Sequence, residues 1–177
     1  MSDTRNKILD LAEDMTQRLG FNGFSYLDLA AEIGVKNSSI HYHFKAKADL
    51  ALALVRRIRA SHLASLDAFT DRYEEPELRV AAMVNHFKGY IDNQQICMCG
   101  MMAAEFASVN EAVRDELTLY FRDLRGWLSI QLAQMGRENP DRAALQLLST
   151  LEGSLLIARL ENDPSIVDSS VQAILNP

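Results

Sequence analysis

The chain has 177 residues, with 18 Lys and Arg against 24 Asp and Glu, for a formal net charge of −6. Hydrophobic residues at 48% and charged residues at 24% suit a folded chain with a core, which excludes disorder, collagen-like repeats and coiled-coil composition. Eight Gly and four Pro favour long helices over a turn-rich β fold, and the acidic total by itself argues against a nucleic-acid partner.

Ile8, Leu11, Ala12, Met15 and Leu19 recur at helical spacing and predict an amphipathic helix over 4–19, closed by Gly20. FNGF reads as a loop. Ser25, three residues before Asp28, predicts a capping box that opens a short helix with Leu29, Ala30 and Ile33 inward and Gly34 as its C-cap. Asn37, Ser38 and Ser39 offer N-cap oxygens to a third helix through IHYHF, and Asp49 opens a long fourth one through Ala51, Leu54, Val55, Ile58, Leu66 and Phe69. Pro76, Pro140 and Pro164 each suit the first position of a helix. Val80, Val84, Phe87 and Ile91 mark a fifth helix, MMAAEF a short sixth, and Leu117, Phe121, Leu124, Leu128 and Met135 a seventh. Ala144, Leu147, Leu148, Leu151 and Leu155 mark an eighth, and Val167, Val171, Ile174 and Leu175 a ninth. The expected class is all-α, with about nine helices.

No apolar run approaches the roughly 18 residues of a membrane span, and the first residues lack the apolar stretch of a signal peptide. Cys97 and Cys99 are too close in sequence to favour a mutual disulfide. A cytoplasmic protein without a membrane partner is expected. No cofactor or metal is implied: the Cys-x-Cys pair lacks two further ligands, and His41 and His43 point to different faces of a helix.

The charge is unevenly spread. Residues 1–62 carry nine cations and seven acids, whereas residues 63–177 carry nine cations and 17 acids. Between 36 and 62 there are six cations and one acid, Asp49, with His41, His43 and His62 among them. Such a split fits a polyanion partner for one segment, or else a solvated helix face.

Two short helices joined by GVKN fit a helix-turn-helix. Ala30 is small where the helices cross, Gly34 makes the turn, Val35 plugs it, and Ile40 and Phe44 anchor the second helix. Lys36, Asn37, Ser38, Ser39, His41, Tyr42 and His43 are then left to face a groove. The stretch ILDLAEDMTQRLGFNGFSYLDLAAEIGVKNSSIHYHFKAKADL, residues 8–50, resembles the DNA-binding domain of the TetR/AcrR family of transcriptional regulators. His41, Ser38 and Ser25 depart from the residues usual in that family but keep their size or polarity.

The resemblance implies a helix-turn-helix domain over 1–48 and an effector-binding and dimerisation domain over 49–177. It implies phosphate contacts from Ser25, Tyr26, Tyr42, His43 and Lys47, with Lys36, Asn37, Ser38, Ser39 and His41 facing base edges. A His or Tyr on a short helix can equally be a packing residue. The family pairs its last two helices, which here places a homodimer interface at about 140–175, a double-stranded palindromic operator as partner, and repression as the usual output. Its effector pocket lies among the middle helices, where His62, Met83, Phe87, Tyr90, Cys97, Met101, Phe121 and Trp127 are the candidates, with His86 as a further polar handle and Met98, Met102, Tyr120 and Met135 in the same soft, aromatic inventory. These residues also suit an ordinary core. Effector binding in the family displaces the fourth helix and spreads the two reading heads.

ICMCGMMAAEF is similar to a TetR subgroup whose segment reads Cys-Leu-x-Gly-x-x-x-x-Glu, some members of which respond to oxidants or electrophiles through the cysteine matching Cys97. The effector is thus expected to be an electrophile, an oxidant or an apolar compound, and Cys97 is either a reactive thiol or a small buried residue. Two other readings stand beside the regulator. An enzyme built on Cys97, His86 and Glu105 lacks nucleophile–base spacing, and a helical protein-interaction adaptor would not need the polar face of IHYH.

Overall fold

The computed structural model describes residues 2–175. It holds nine α-helices and no strand among those residues: α1 (Ser2–Leu19), α2 (Tyr26–Ile33), α3 (Asn37–His43), α4 (Lys47–Arg72), α5 (Pro76–Lys88), α6 (Met98–Ala104), α7 (Glu111–Gln134), α8 (Pro140–Glu161) and α9 (Ser165–Leu175). The FNGF segment is not an open loop. Phe21–Gly23 forms a 3-10 turn, with Phe21 and Phe24 buried on either side and their rings edge to face at 5.8 Å.

The chain forms two compact units. The first joins the residues up to Arg59 to Met98–Thr118, and the second comprises Ala60–Cys97 with Leu119 onwards. This division falls inside α4 and α7 rather than at 48/49, and α6 returns to pack on α1 in the first unit.

In the first unit, Ile8, Leu9 and Ala12 of α1 are buried with Leu29 and Ala30 of α2, Ile40 of α3 and Leu50 and Leu54 of α4. Capping sets the ends of its short helices. Ser25 accepts from the Asp28 amide while Asp28 accepts from the Ser25 amide, so both orphan donors are satisfied. Gly34, at φ 77°, closes α2 by donating to Ala30 and Ala31, and Val35 donates to Ala30 as well.

Three start signals differ from the sequence reading. None of Asn37, Ser38 and Ser39 caps α3; Lys36 takes the extended cap position, and its side chain has no acceptor to offer. Asp49 does not open α4, which begins at Lys47; its carboxylate instead accepts from the Ala46 amide at 2.9 Å, the role of an acid one turn in. Pro164 stands one residue before α9, where the Asp163 carboxylate accepts from the Ser165 amide at 2.9 Å. At two helix C-termini, Ile91 falls in a 3-10 turn after α5 and Met135 just beyond α7.

The second unit packs α8 closely on α9, and α5 also contacts α8. Leu147, Leu148, Leu151 and Leu155 of α8 and Val167 and Val171 of α9 are buried there with Val80 and Met83 of α5 and Leu124 and Leu128 of α7. The opposite face of α8 exposes Leu145, Leu156, Ile157 and Leu160, the last 86% exposed. By length and composition α8 is apolar enough to cross a membrane, although no uninterrupted apolar run of that length occurs in it.

Two glycines rank in an expected way. Gly34→Ala should cost about 1 kcal/mol, because a side chain there meets open space and only the positive φ opposes it. Gly20→Ala, at φ 84°, would also bring its Cβ to 2.5 Å from the Glu105 carboxylate and should cost at least about 2 kcal/mol. Urea denaturation measures both, and equal losses would contradict this packing.

Candidate functional site

The first unit presents α3 with one face inward and the other outward. Ile40 is buried, while Lys36, Ser38, His41 and Tyr42 are exposed and Asn37, Ser39 and His43 are half-buried. Tyr42 is 67% exposed and stands edge-on to His43 at 5.1 Å. The Asn37 side-chain oxygen is buried without a partner.

The other expected phosphate contacts are more deeply committed to the fold. Tyr26 is buried, its hydroxyl donating to the Ala46 carbonyl at 2.7 Å, and burial beside Asp49 pushes its pKa up to about 12. It therefore acts as a neutral tie between α2 and the start of α4, with its ring edge-on to His41 at 4.9 Å. The Ser25 hydroxyl donates to Asp28 at 2.7 Å, so that oxygen is held by the cap.

Lys47 is a structural junction. Its ammonium donates to the Phe24 carbonyl and lies 4.8 Å from the Phe21 ring centre and 4.7 Å from that of Phe24, a double cation–π contact. Burial pulls its pKa down, against the opposing pull of Glu105 and Asp28. Glu105, just past the end of α6, accepts from the Asn22 amide at 3.1 Å, and Asn22 donates its side-chain amide to Ser108 at 2.8 Å. The turn that holds Lys47 is thus itself held by the residues after α6. The similarity to the Cys-x-x-Gly-x-x-x-x-Glu segment singles out Glu105 in sequence, but nothing local reveals that it reaches Asn22, 83 positions away.

Two further residues enter here that sequence reading did not place. Arg5 lies 5.1 Å over the Phe44 ring and lines a surface hollow with His43, Asp49 and Arg56. Thr4 lines a second hollow with Ser38, Ser39, Tyr42 and His43. The signal available for Arg5 is only its contribution to the local charge.

The second unit holds a buried polar cluster. His62 of α4 is 4% exposed, with Nδ1 2.8 Å from the Tyr120 hydroxyl and Nε2 2.9 Å from the Tyr90 hydroxyl. A neutral imidazole donates through one nitrogen and accepts through the other, so both hydroxyls are served without charge. The Tyr120 hydroxyl is 3.6 Å from the buried Cys97 thiol, and Cys97 is hydrogen-bonded to the Glu152 carboxyl. His86 stacks edge-on to His62 at 5.1 Å and to Tyr90 at 5.8 Å, and Phe87 lies 5.2 Å from His62.

Of the expected effector residues, His62, Phe87, Tyr90 and Cys97 meet in this cluster. Phe121 touches it through Tyr120 at 5.0 Å. Met83 is a fully buried core residue of α5. Trp127 is occupied elsewhere on α7, donating to the Thr70 hydroxyl at 3.1 Å. Met101 belongs to the first unit, where its methyl group would be 3.4 Å from a Cβ at Gly20. Tyr120, of the same soft and aromatic inventory, joins the cluster, and Glu152 is the residue missing from that inventory. Glu152 leaves a trace in sequence as the one carboxylate of α8 between Asp141 and Glu161.

Burial drives the ionisable groups of the cluster toward neutrality. It pushes Glu152 up to about 7, only partly offset by the Cys97 hydrogen bond, and pulls His62 down to about 4, helped by His86. His86 is lowered by burial too. The linkage signs are opposite. Glu152 takes up a proton on folding, so its contribution to stability is present at low pH and is lost as pH rises through about 7. His62 gives one up, so its penalty appears as pH falls below its unfolded value toward about 4. Between about pH 4.5 and 6.5 the two slopes cancel in the native protein. Glu152→Gln removes one of them. It should be more stable than the parent at pH 8 by on the order of 3 kcal/mol, and its stability should rise with pH from 4.5 to 6.5. Urea titrations across that range measure this, and parallel pH profiles would contradict it.

Residues 8–54 match the family model described as bacterial regulatory proteins, tetR family, and residues 76–171 match that of the LmrA/YxaF-like transcriptional regulator C-terminal domain. A TetR transcriptional regulator from Legionella pneumophila superposes with a TM-score of 0.92 at 29% identity, covering 98% of this chain and 96% of that one. A TetR-family regulator from Agrobacterium tumefaciens gives 0.92 at 28% identity with the same coverage. An HTH-type transcriptional regulator of the lacX 3′ region of Lactococcus lactis subsp. lactis is 25% identical over 182 positions, 96% of this chain and 90% of its own length. With the matched models spanning the helix-turn-helix and more than half of the chain besides, the protein belongs to the tetR family of bacterial transcriptional regulators.

Proposed function

We propose that this DNA-binding regulator is a homodimeric, effector-released repressor that reads a palindromic operator. The carrying observation is the outward face of α3, where Lys36, Ser38, His41 and Tyr42 stand exposed on a helix anchored by the buried Ile40. Lys and Ser side chains suit base edges, while Tyr42 and His43 suit phosphates. Lys47 supplies a further phosphate contact from its aromatic seat, and Arg5 adds positive charge beside α3. Ser25 and Tyr26 contribute by fixing the start of α2. The DNA-contacting part is the segment through residue 48, and the remainder carries the effector and dimer functions.

Two-fold pairing doubles the length of DNA read and requires a self-complementary surface. The exposed leucine face of α8 suits that role: four large apolar side chains in one stripe are more than a monomer ordinarily leaves to water. The His62–Tyr90–Tyr120–Cys97–Glu152 cluster is the effector site. Its polar groups are few and fixed in an apolar surround, the composition of a small-molecule site. Cys97, 1% exposed, acts there as a hydrogen-bonding member, and an oxidant or electrophile reaches it only after local opening. Such a protein acts in the cytoplasm, where the operator is.

Mobility-shift titration separates the roles of Tyr42 and Lys47. Tyr42→Ala should weaken binding to all sequences alike with unchanged urea stability and unchanged salt slope. Lys47→Ala should lose both affinity and stability and reduce the slope of log K against log salt by about one. On light scattering, Leu156→Asp with Leu160→Asp should give a monomer that no longer shifts the operator. Unaltered operator affinity in the Tyr42 and Lys47 variants, or a parent protein that is monomeric, would overturn this reading.

A further inference from the structure

A buried polar atom without a partner in a native protein calls for an explanation, and one explanation is a molecule that completes it. Two such atoms lie in the second unit: Glu152 Oε1 and His86 Nε2. Glu152 is partly exposed on the α8 surface, but its Oε1 is enclosed by this chain. Among the described residues, the hydrogen bond acting on its carboxyl comes from the Cys97 thiol, and no Lys or Arg acts on it. Through Cys97 and the Tyr120 hydroxyl at 3.6 Å, the carboxyl stands at the edge of the ring cluster around His62.

The charges of that cluster do not balance once Glu152 ionises. The two imidazoles of the cluster, on α4 and α5, are kept neutral by burial, and the hydroxyls of Tyr90 and Tyr120 are occupied with His62. One acid, two neutral imidazoles and the rings of Phe87, Tyr90 and Tyr120 are brought together, and among the described residues no Lys or Arg acts on the acid. An anionic ligand would meet the carboxylate with like charge, and a neutral apolar one would leave it desolvated and unpaired. A cation pairs with it and gains from the ring faces as well.

We propose that the effector is an organic cation of the ammonium type with aromatic or alkyl substituents, its charge paired with the Glu152 carboxylate and its body against the rings of Phe87, Tyr90 and Tyr120. This rests on the reading of the cluster as the effector site and names the chemical class that site selects. Cation binding then expels the proton that Glu152 otherwise retains near neutrality, so affinity and pH are linked. Protonation of His86 at low pH acts in the same direction, since a second positive charge repels the ligand.

The test uses the full chain and two isosteres, benzyltrimethylammonium and the neutral neopentylbenzene, titrated by ligand-observed NMR at pH 6 and pH 8. The cation should bind at least about tenfold tighter than its isostere at pH 8, and its affinity should fall about tenfold at pH 6, given a carboxyl that titrates near 7. Glu152→Gln, which keeps an acceptor for Cys97, should erase both the charge preference and the pH dependence, with its fold checked by circular dichroism. Glu161→Gln, at the exposed end of the same helix, should keep both. Tighter binding of neopentylbenzene, or equal binding of the two, overturns the cation assignment while leaving the effector site in place. Failure of both probes to bind overturns the site itself.

Discussion

The ammonium group of Lys47 is the point on which the reading unit depends. A cation on a half-buried lysine is costly unless something replaces its water, and here the Phe24 carbonyl and two aromatic faces do so. Those partners come from the turn before α2, whereas Lys47 begins α4, so one side chain fixes the approach of two helices that flank α3. Tyr26 repeats the connection in the other direction, from α2 to the Ala46 carbonyl. With both ties closed, α3 is presented as a rigid element, which base-edge recognition requires because a displaced donor forfeits its hydrogen bond. Glu105 extends the same logic to α6: its carboxylate occupies the space that a side chain on Gly20 would need and takes up the Asn22 amide.

The second unit follows the opposite pattern. His62 is fully served by two tyrosines, yet the cluster around it ends in two orphaned atoms, one on His86 and one on Glu152. Replacing Glu152 by an apolar residue would remove a desolvated carboxyl from α8, a helix otherwise rich in leucine, so its presence works against stability. Around α3 the ties made by Lys47 and Tyr26 are closed although Asn37 Oδ1 is left without a partner, and beside α8 Glu152 Oε1 is left the same way.

Much of this was legible in the sequence because it depends on local pattern. Helical periodicity marks the longer helices, and Ser25 with Asp28 and Gly34 gives both ends of α2, since caps are set by residues three or four apart. The turn pattern around GVKN and the resemblance over 8–50 point to the reading unit, and the charge excess between 36 and 62 fits it despite a net charge of −6. What sequence reading missed is long-range. Asp49 and Lys47 were recognised as charges at the start of α4, but the aromatic seat of Lys47 comes from residues more than twenty positions earlier, and no periodicity reports it. The N-cap of α3 was misplaced because Asn37, Ser38 and Ser39 are good cap residues, while the extended backbone falls at Lys36. Met101 and Trp127 share the composition of the effector set but point to Gly20 and Thr70, which only the fold decides.

Selection of bound sequences from a random DNA pool tests the central claim, that α3 reads DNA as one of a symmetric pair. Enrichment of an inverted repeat is expected, with half-sites one helical turn apart, about 34 Å, or slightly more. Enrichment should be lost when Lys36 and Tyr42 are both replaced by Ala. Recovery of a single half-site, of a direct repeat, or of no sequence at all would contradict it.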